Sequence, residues 1–393
     1  MTPLVVSPGP RLEWKALRPG RRRGERPAPF DTAPTHYVFS GRTAIFHGLR
    51  VLGIAPGERV LVPAFNCASL VEPIRRYGAK AAFYKIDADC AADFDDIERR
   101  IDSTTRAIVV IHYFGVPERL ERFRELCARR GLYLIEDCAH VLTGAAGAIP
   151  LGATGDVSIF SWRKFLPVGD GGQLVINNRA LAADVRLDAP SAVVRLRAIK
   201  DAVDRILESP NALARCANLL WRLPSIARRR PPAPAPVAEA GSESAAASTA
   251  ATDELDLGCP FTLVNLPMSA FSRFVADHID LRPIIEQRRL NYRYLLTGVG
   301  ALPSVVPLFR ELPDGVCPLA FPFFVEGRKD FHLLLRSKGI PASTWGGVIH
   351  PDLPLEEFPE SRALYDGLIY LPVHQSLSVQ EMDTMGRAVR DSL

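Results

Sequence analysis

Short apolar runs and helical patterns alternate from Gly57 to Ile176, and few folds accommodate such an alternation. Gly57-Glu-Arg-Val-Leu-Val-Pro63, Lys80 to Ile86, Arg106-Ala-Ile-Val-Val-Ile111, Gly131-Leu-Tyr-Leu-Ile135, Val157 to Phe160 and Gln173 to Ile176 read as strands. Helical patterns over Ala68 to Tyr77, Asp93 to Ile101 and Glu118 to Arg130 separate the first four. Apolar runs of this length, bounded by turn residues, suit strands buried on both faces. Their alternation with helices implies an α/β fold on a doubly wound, mostly parallel sheet. In such a sheet, groups just past the strand C-termini converge on one crevice, where ligands bind.

Two of those strand ends carry chemistry. Glu136-Asp137-Cys138-Ala139-His140 follows one run, Ser161-Trp162-Arg163-Lys164 follows the next, and Gly169-Asp170-Gly171-Gly172 closes the stretch. An Asp and a Lys brought to one crevice suit pyridoxal phosphate. The amine forms a Schiff base with a carbonyl, and the carboxylate keeps a pyridine nitrogen protonated so that the ring acts as an electron sink. Either residue alone reads more simply, Asp137 as a helix cap and Lys164 as a surface lysine. The ordered set with its glycine-rich close favours the site.

These residues resemble the DegT/StrS family of sugar aminotransferases, pyridoxal-phosphate enzymes of fold type I. That family carries Asp-x-Ala-His/Gln, then Gly-Asp…Phe-Ser-Phe, a lysine, and Gly-Glu-Gly-Gly beyond it. Here Lys164 stands five residues before Gly169, as in the family, and is the only lysine between Lys85 and Lys200. Ser161 lies three residues before Lys164, where the family more often has five. Trp162 replaces the second Phe, and Asp170 the Glu. The resemblance implies that Lys164 binds the cofactor and moves protons as general base and acid. It implies that Asp137 faces the ring nitrogen, and that His140 packs beside the ring and orients its 3-oxygen or that Asp.

The same resemblance extends to other turns. Ser40-Gly41-Arg42-Thr43-Ala44 opens a helical pattern with Ile45, Leu49 and Leu52 on one face. Taken by itself, this is equally an ordinary N-cap or a phosphate site. The family holds the cofactor phosphate with Ser-Gly-Thr-Ala here. Arg42 stands in the Thr place, so the hydroxyl is expected from Thr43, with Gly41 and Ser161 beside it. At the end of Val60 to Pro63, Cys67 aligns with an aromatic ring that stacks on the pyridine in the family. Either its thiol covers the cofactor or Phe65 substitutes. His112 to Gly115 matches a further turn, where a satisfied strand-end histidine is the simpler reading. Asn265-Leu-Pro-Met268 resembles Asn-Tyr-Arg-Met, whose Asn reaches the cofactor phosphate of the neighbouring subunit; its Arg is Pro267 here. Leu371-Pro-Val-His-Gln375 resembles Leu-Pro-Leu-His, with His374 read as structural.

Composition bounds the rest. A chain of 393 residues is long enough for two packed lobes, and 47% hydrophobic with 23% charged residues fits a globular protein. A formal charge of +4 without aromatic-basic interleaving argues against nucleic acid. Seven cysteines, odd in number and without paired spacing, place the chain in a reduced cytoplasm, and no metal-ligand spacing is present. No signal peptide or spanning run is visible, so membrane contact is not expected. The divisions read from the sequence are an extended Pro- and Arg-rich arm over 1–35, a cofactor domain over 36–230, a low-complexity flexible insertion over 231–258 and a smaller α/β domain over 259–393. The basic run Arg18 to Arg26 reads as a solvated arm, and Asn218 to Arg230 as a helix packed on the sheet.

The function expected from the resemblance is transfer of an amino group, from glutamate by family analogy, to a keto-sugar attached to a nucleotide. A homodimer with shared sites is implied. Two rivals stand beside it: a sugar dehydratase of the same fold, which usually lacks the Schiff-base lysine, and a binding or regulatory protein that keeps the fold without turnover. The altered turns at Arg42, Cys67 and Pro267 lend the last some weight.

Overall fold

The computed structural model describes residues 6–13, 17, 29–30, 32–182, 184–207, 261–345 and 348–393. The insertion at 231–258, the basic run Arg18 to Arg26 and the segment Asn218 to Arg230 lie outside the described residues.

Alternation delivers the fold it predicts. In the N-terminal lobe, β1 (Thr35–Val38), α1 (Gly41–Val51), β2 (Arg59–Pro63), α2 (Ala68–Tyr77), β3 (Lys80–Tyr84), α3 (Phe94–Arg100), β4 (Thr105–Ile111), α4 (Leu120–Arg130) and β5 (Tyr133–Cys138) follow in turn. A small ribbon of β6 (Ala145–Ala146) and β7 (Ile149–Pro150) precedes β8 (Val157–Ser161), β9 (Gly172–Ile176) and α5 (Ala192–Leu207). Seven strands form one sheet in the order β1-β9-β8-β5-β4-β2-β3. Strands β3, β2, β4, β5 and β8 run parallel, while β9 returns antiparallel to β8 and carries β1 on its other edge. Central β5 is buried along almost its whole length, which is why it reads as an unbroken apolar run until its carboxylates.

The C-terminal lobe follows with α6 (Ala270–His278), α7 (Leu281–Gly298), β10 (Val305–Pro307), β11 (Ala320–Val325), α8 (Phe331–Ser337), β12 (Ser343–Thr344), α9 (Pro359–Gly367), β13 (Ile369–Pro372) and α10 (Val379–Arg390). Its four strands pair antiparallel in the order β10-β11-β13-β12. Tyr292, Leu295, Phe321, Phe323, Phe331, Met385 and Val389 fill its core. A third apolar cluster, with Trp162, Phe165 and Leu166 from the first lobe and Met268, Val275 and Ile284 from the second, knits the two together. No helix among the described residues is long and apolar enough to cross a membrane.

The described part of the N-terminal arm packs against both lobes. Val6 and Leu12 are each 1% exposed, one in the C-terminal core and the other in the joining cluster. Burial of an aliphatic side chain of this size stabilises by roughly 1.5–3 kcal/mol. A Pro-rich composition signals extension but carries no information about what the chain lies against.

Candidate active site

The register of the sheet fixes the site's floor. Asp137 sits between Ile111 on β4 and Ile159 on β8, one residue before the end of β5. Ser161 ends β8, and a single 3₁₀ turn over Trp162–Lys164 carries the chain to Lys164. That turn is the physical answer to the shortened spacing. It needs only the bonds Phe165 N–H and Leu166 N–H to the Trp162 carbonyl (3.0 and 2.8 Å), while the Trp162 indole N–H is pinned on Gln173 (2.7 Å). Lys164 therefore lines the same cleft as Asp137, Ala139, His140, Gly41, Ser161 and Cys67.

Electrostatics make Lys164 and Asp137 partners. Burial pushes the Asp137 carboxyl up, against the nearby Lys164 charge and the Ala139 N–H, which donates to Oδ1 at 2.8 Å. Burial pushes the Lys164 amine down, and Asp137 opposes that shift. Burial, with the Lys164 charge behind it, holds His140 well below the usual histidine range, so its imidazole is neutral. Its Nδ1 accepts the Phe114 N–H (3.3 Å), which leaves the proton on Nε2.

The start of α1 closes one end of the cleft. Ser40 caps it, and Gly41 and Arg42 line the cleft in its first turn. A Cβ on Gly172 would lie 2.1 Å from the Ser40 carbonyl and 2.7 Å from the Gly41 nitrogen, so only glycine lets β9 pass beneath this turn. Thr43 corrects an expectation. Its hydroxyl accepts the Ser40 N–H (2.8 Å) and meets the Ser40 hydroxyl (2.7 Å), a reciprocal capping box that turns it away from the cleft. The hydroxyl that does reach the cleft beside Gly41 is that of Ser161.

Cys67 is exposed and lines the cleft, while Phe65 is fully buried. Phe65 packs on Tyr113, Tyr365 and Trp345, so the expected alternative in which Phe65 covers the cleft does not hold. Trp345 does reach the cleft, edge-on to His140 with ring centroids 4.8 Å apart. Sequence reasoning missed it, because it stands just past β12, far from every motif. Asn265 does not line this chain's cleft; its Oδ1 is buried without a partner among the described residues.

Two histidines are structural. His112 Nδ1 accepts the Glu118 N–H (3.1 Å), and its Nε2 lies 3.0 Å from Glu136. Burial pushes the Glu136 carboxyl up, but His112 and the N–H groups of Gly155 and Gly152 more than offset this and hold it below the usual range. Cys138 completes a trio with ligand atoms within 4.8 Å of one another, yet the Glu136 oxygens are already committed to His112, Gly152, Thr154 and Gly155. His374 Nε2 donates to the Ser7 carbonyl at 2.9 Å, which ties the arm to the C-terminal lobe. Asp170 accepts from Ser269, the cap of α6, at 3.2 and 3.1 Å.

A mostly parallel seven-stranded sheet with Lys164 and Asp137 at its carboxyl edge, beside a smaller antiparallel lobe, is a fold shared with solved aminotransferase structures. The model of the DegT/DnrJ/EryC1/StrS aminotransferase family matches residues 35–205, so the resemblance read from the motifs holds across the lobe that carries Lys164. A GDP-perosamine synthase of Vibrio cholerae is 35% identical over 144 residues, 36% of this chain and 39% of that protein. A dTDP-4-dehydro-2,3,6-trideoxy-D-glucose 4-aminotransferase of Saccharopolyspora spinosa is 31% identical over 39% of this chain and 41% of its own. The matches thus span about two fifths of these relatives' lengths. Among solved structures, the Helicobacter pylori aminotransferase PseC superposes with a TM-score of 0.65 at 16% identity, covering 99% of both chains. The aminotransferase TlmJ of Streptoalloteichus hindustanus gives 0.62 at 20% identity, over 91% of this chain and 85% of that one.

Proposed function

We propose that this protein is a pyridoxal-phosphate-dependent aminotransferase that moves an amino group from an amino acid, glutamate in our reading, to a keto-sugar carried on a nucleotide. The observation that carries this is the pairing of half-buried Lys164 with buried Asp137 at the carboxyl edge of the sheet, in the cleft that the first turn of α1 also lines.

The residues fit the cofactor. Gly41 and Arg42 offer first-turn N–H groups and Ser161 a hydroxyl, a donor set for a phosphate dianion in a turn that a Cβ at Gly172 would fill. Asp137 has one oxygen held by Ala139 and is a buried carboxylate in need of a cation, which a protonated pyridine nitrogen supplies. Ala139 and Cys67 are small enough to flank a flat ring. When bound, pyridoxal phosphate supplies an electron sink for the carbon next to the transferred nitrogen.

The chain's own groups do the rest. Asp137 keeps the ring nitrogen charged. His140, neutral with its proton on Nε2, donates a hydrogen bond and is fixed in that tautomer by the Phe114 N–H. Lys164, whose amine is eased toward neutrality by burial, takes a proton at Nζ from one carbon and returns it to another. The sugar-nucleotide acceptor is supported by the names of the similar proteins, which act on GDP- and dTDP-linked sugars. We further read the working form as a cytoplasmic homodimer in which Asn265 reaches the phosphate of the partner's site. Incubation with glutamate and a panel of keto-sugar nucleotides, read by mass spectrometry, tests the function. An amino-sugar product that Lys164→Ala abolishes is expected, and no product from any acceptor with cofactor bound overturns the reading.

A further inference from the structure

A second cavity of about 340 Å³ borders Lys164 and shares Cys67, His140 and Trp345 with the cleft. It is large enough for a drug-sized ligand. Among its described lining residues only Lys164 and Arg288 carry a full charge, and no carboxylate faces it. The Arg288 guanidinium is buried, and its partners are all neutral: the Gln375 side chain (3.0 Å) and the carbonyls of Pro318, Leu319 and Phe165 (3.3, 3.2 and 3.4 Å). Lys164 has Asp137 as its partner, so the uncompensated positive charge on this wall is that of Arg288, which suits an anionic ligand.

Another part of the wall is the arm. Pro8, Gly9 and Pro10 line this cavity, and the chain is clamped on both sides of them. Ser7 donates its N–H to Glu381 (3.1 Å) and accepts from His374 (2.9 Å). On the far side, the Arg11 N–H donates to Ser376 Oγ (3.0 Å) and Leu12 is buried. Two prolines between two clamps leave the backbone little freedom, so the wall is preformed. A Cβ on Gly9 would meet no atom within 4 Å, so this position borders open space.

We propose that Pro8-Gly9-Pro10 is a specificity-determining wall of the acceptor subsite, and that it limits how bulky an anionic acceptor can be and still reach Lys164. The inference rests on the aminotransferase reading for the identity of the ligand, but not for the geometry. Two variants bracket it: Gly9→Trp narrows the cavity, and deletion of residues 1–10 removes the wall.

Cys67, exposed and bordering the same cavity, reports on access without any turnover. In cofactor-free protein, its alkylation by iodoacetamide and by a fluorescein maleimide is followed by peptide mass spectrometry. The deletion should raise the maleimide rate relative to iodoacetamide by about tenfold, and Gly9→Trp should lower it by a similar factor, as expected for steric exclusion at a pocket wall. In loaded protein, Gly9→Trp should leave the absorbance change on adding glutamate intact while turnover of the nucleotide-sugar acceptor falls. Unchanged labelling ratios in both variants, with wild-type melting curves, overturn the wall. If wild type gives no absorbance change with glutamate, the aminotransferase reading fails while the labelling ratios still test the wall.

Discussion

Gly172 offers a test of the phosphate cradle that does not depend on knowing the substrate. An added Cβ would stand 2.1 Å from both the carbonyl carbon and oxygen of Ser40, where real contacts stay beyond 3.0 Å. In Gly172→Ala the start of β9 must retreat by about 0.9 Å, or the Ser40-Gly41 turn must lift by as much. Neither is free to move. Gly172 is in register with Ser161 on one side and Val38 on the other, and Ser40 is held by its capping box with Thr43. Overpacking of this kind costs roughly 1–3 kcal/mol, and the obstacle here is backbone, which places the variant near the upper end. If the turn yields, the N–H groups of Gly41 and Arg42 lose their aim. Loss of one hydrogen bond to a charged group costs about 1.5–3 kcal/mol, so pyridoxal phosphate should bind roughly 10- to 150-fold more weakly. Urea unfolding reads the first effect and fluorescence titration with pyridoxal phosphate the second. Gly386→Ala is the control: it lies inside α10 with nothing within 4 Å of its Cβ and should stabilise by about 1 kcal/mol. A Gly172→Ala protein that unfolds and binds like wild type would refute the cradle.

Asp137→Asn should keep bound cofactor, because the phosphate contacts persist, but lose most turnover; near-normal transamination would mean that Asp137 does not face the ring nitrogen. Burial raises Glu72, but Arg75, Arg76 and His350 outweigh it and bring its carboxyl down to about 2. A depressed folded pKa means the stabilisation is present above the ordinary value of 4.5 and fades as pH falls toward 2, so stability should drop across that window and Glu72→Gln should flatten the drop in urea midpoints. Mixing Lys164→Ala with Asn265→Ala chains should restore part of the activity if sites are shared, since one site of the mixed dimer then carries neither change. Absence of recovery despite subunit exchange would assign Asn265 to its own chain.

Periodicity exposed the parallel sheet and the order Asp137, His140, Ser161, Lys164, because burial on both faces leaves an apolar run that stops where function begins. It did not expose what comes from afar. Trp345 arrives from past β12 by tertiary packing on Phe65 and His140, and a tryptophan before two glycines carries no signal of that destination. Thr43 misled for a local reason. A hydroxyl three residues after Ser40 suits a phosphate and a capping box equally, and the backbone N–H of Ser40 was the nearer partner. The antiparallel return of β9 was hidden too, since a buried strand reads alike in either direction.

The turn after β4 shows how the two lobes share one site. Phe114 holds a left-handed backbone (φ 55°), costly for a residue with a side chain, and Gly115 follows at φ 92°. That geometry aims the Phe114 N–H at His140 Nδ1 and so sets which nitrogen faces the cleft. The next step explains why it persists. A Cβ on Gly115 would lie 2.7 Å from the Cys317 carbonyl and 3.0 Å from that of His140, so the turn is pressed between the Asp137–His140 segment and the C-terminal lobe. The Leu319 N–H closes the contact on the Phe114 carbonyl at 3.0 Å. Docking of the second lobe therefore holds the strained turn, the turn orients His140, and His140 stands beside Lys164. The smaller lobe thus bears on the cleft through a turn of the larger one.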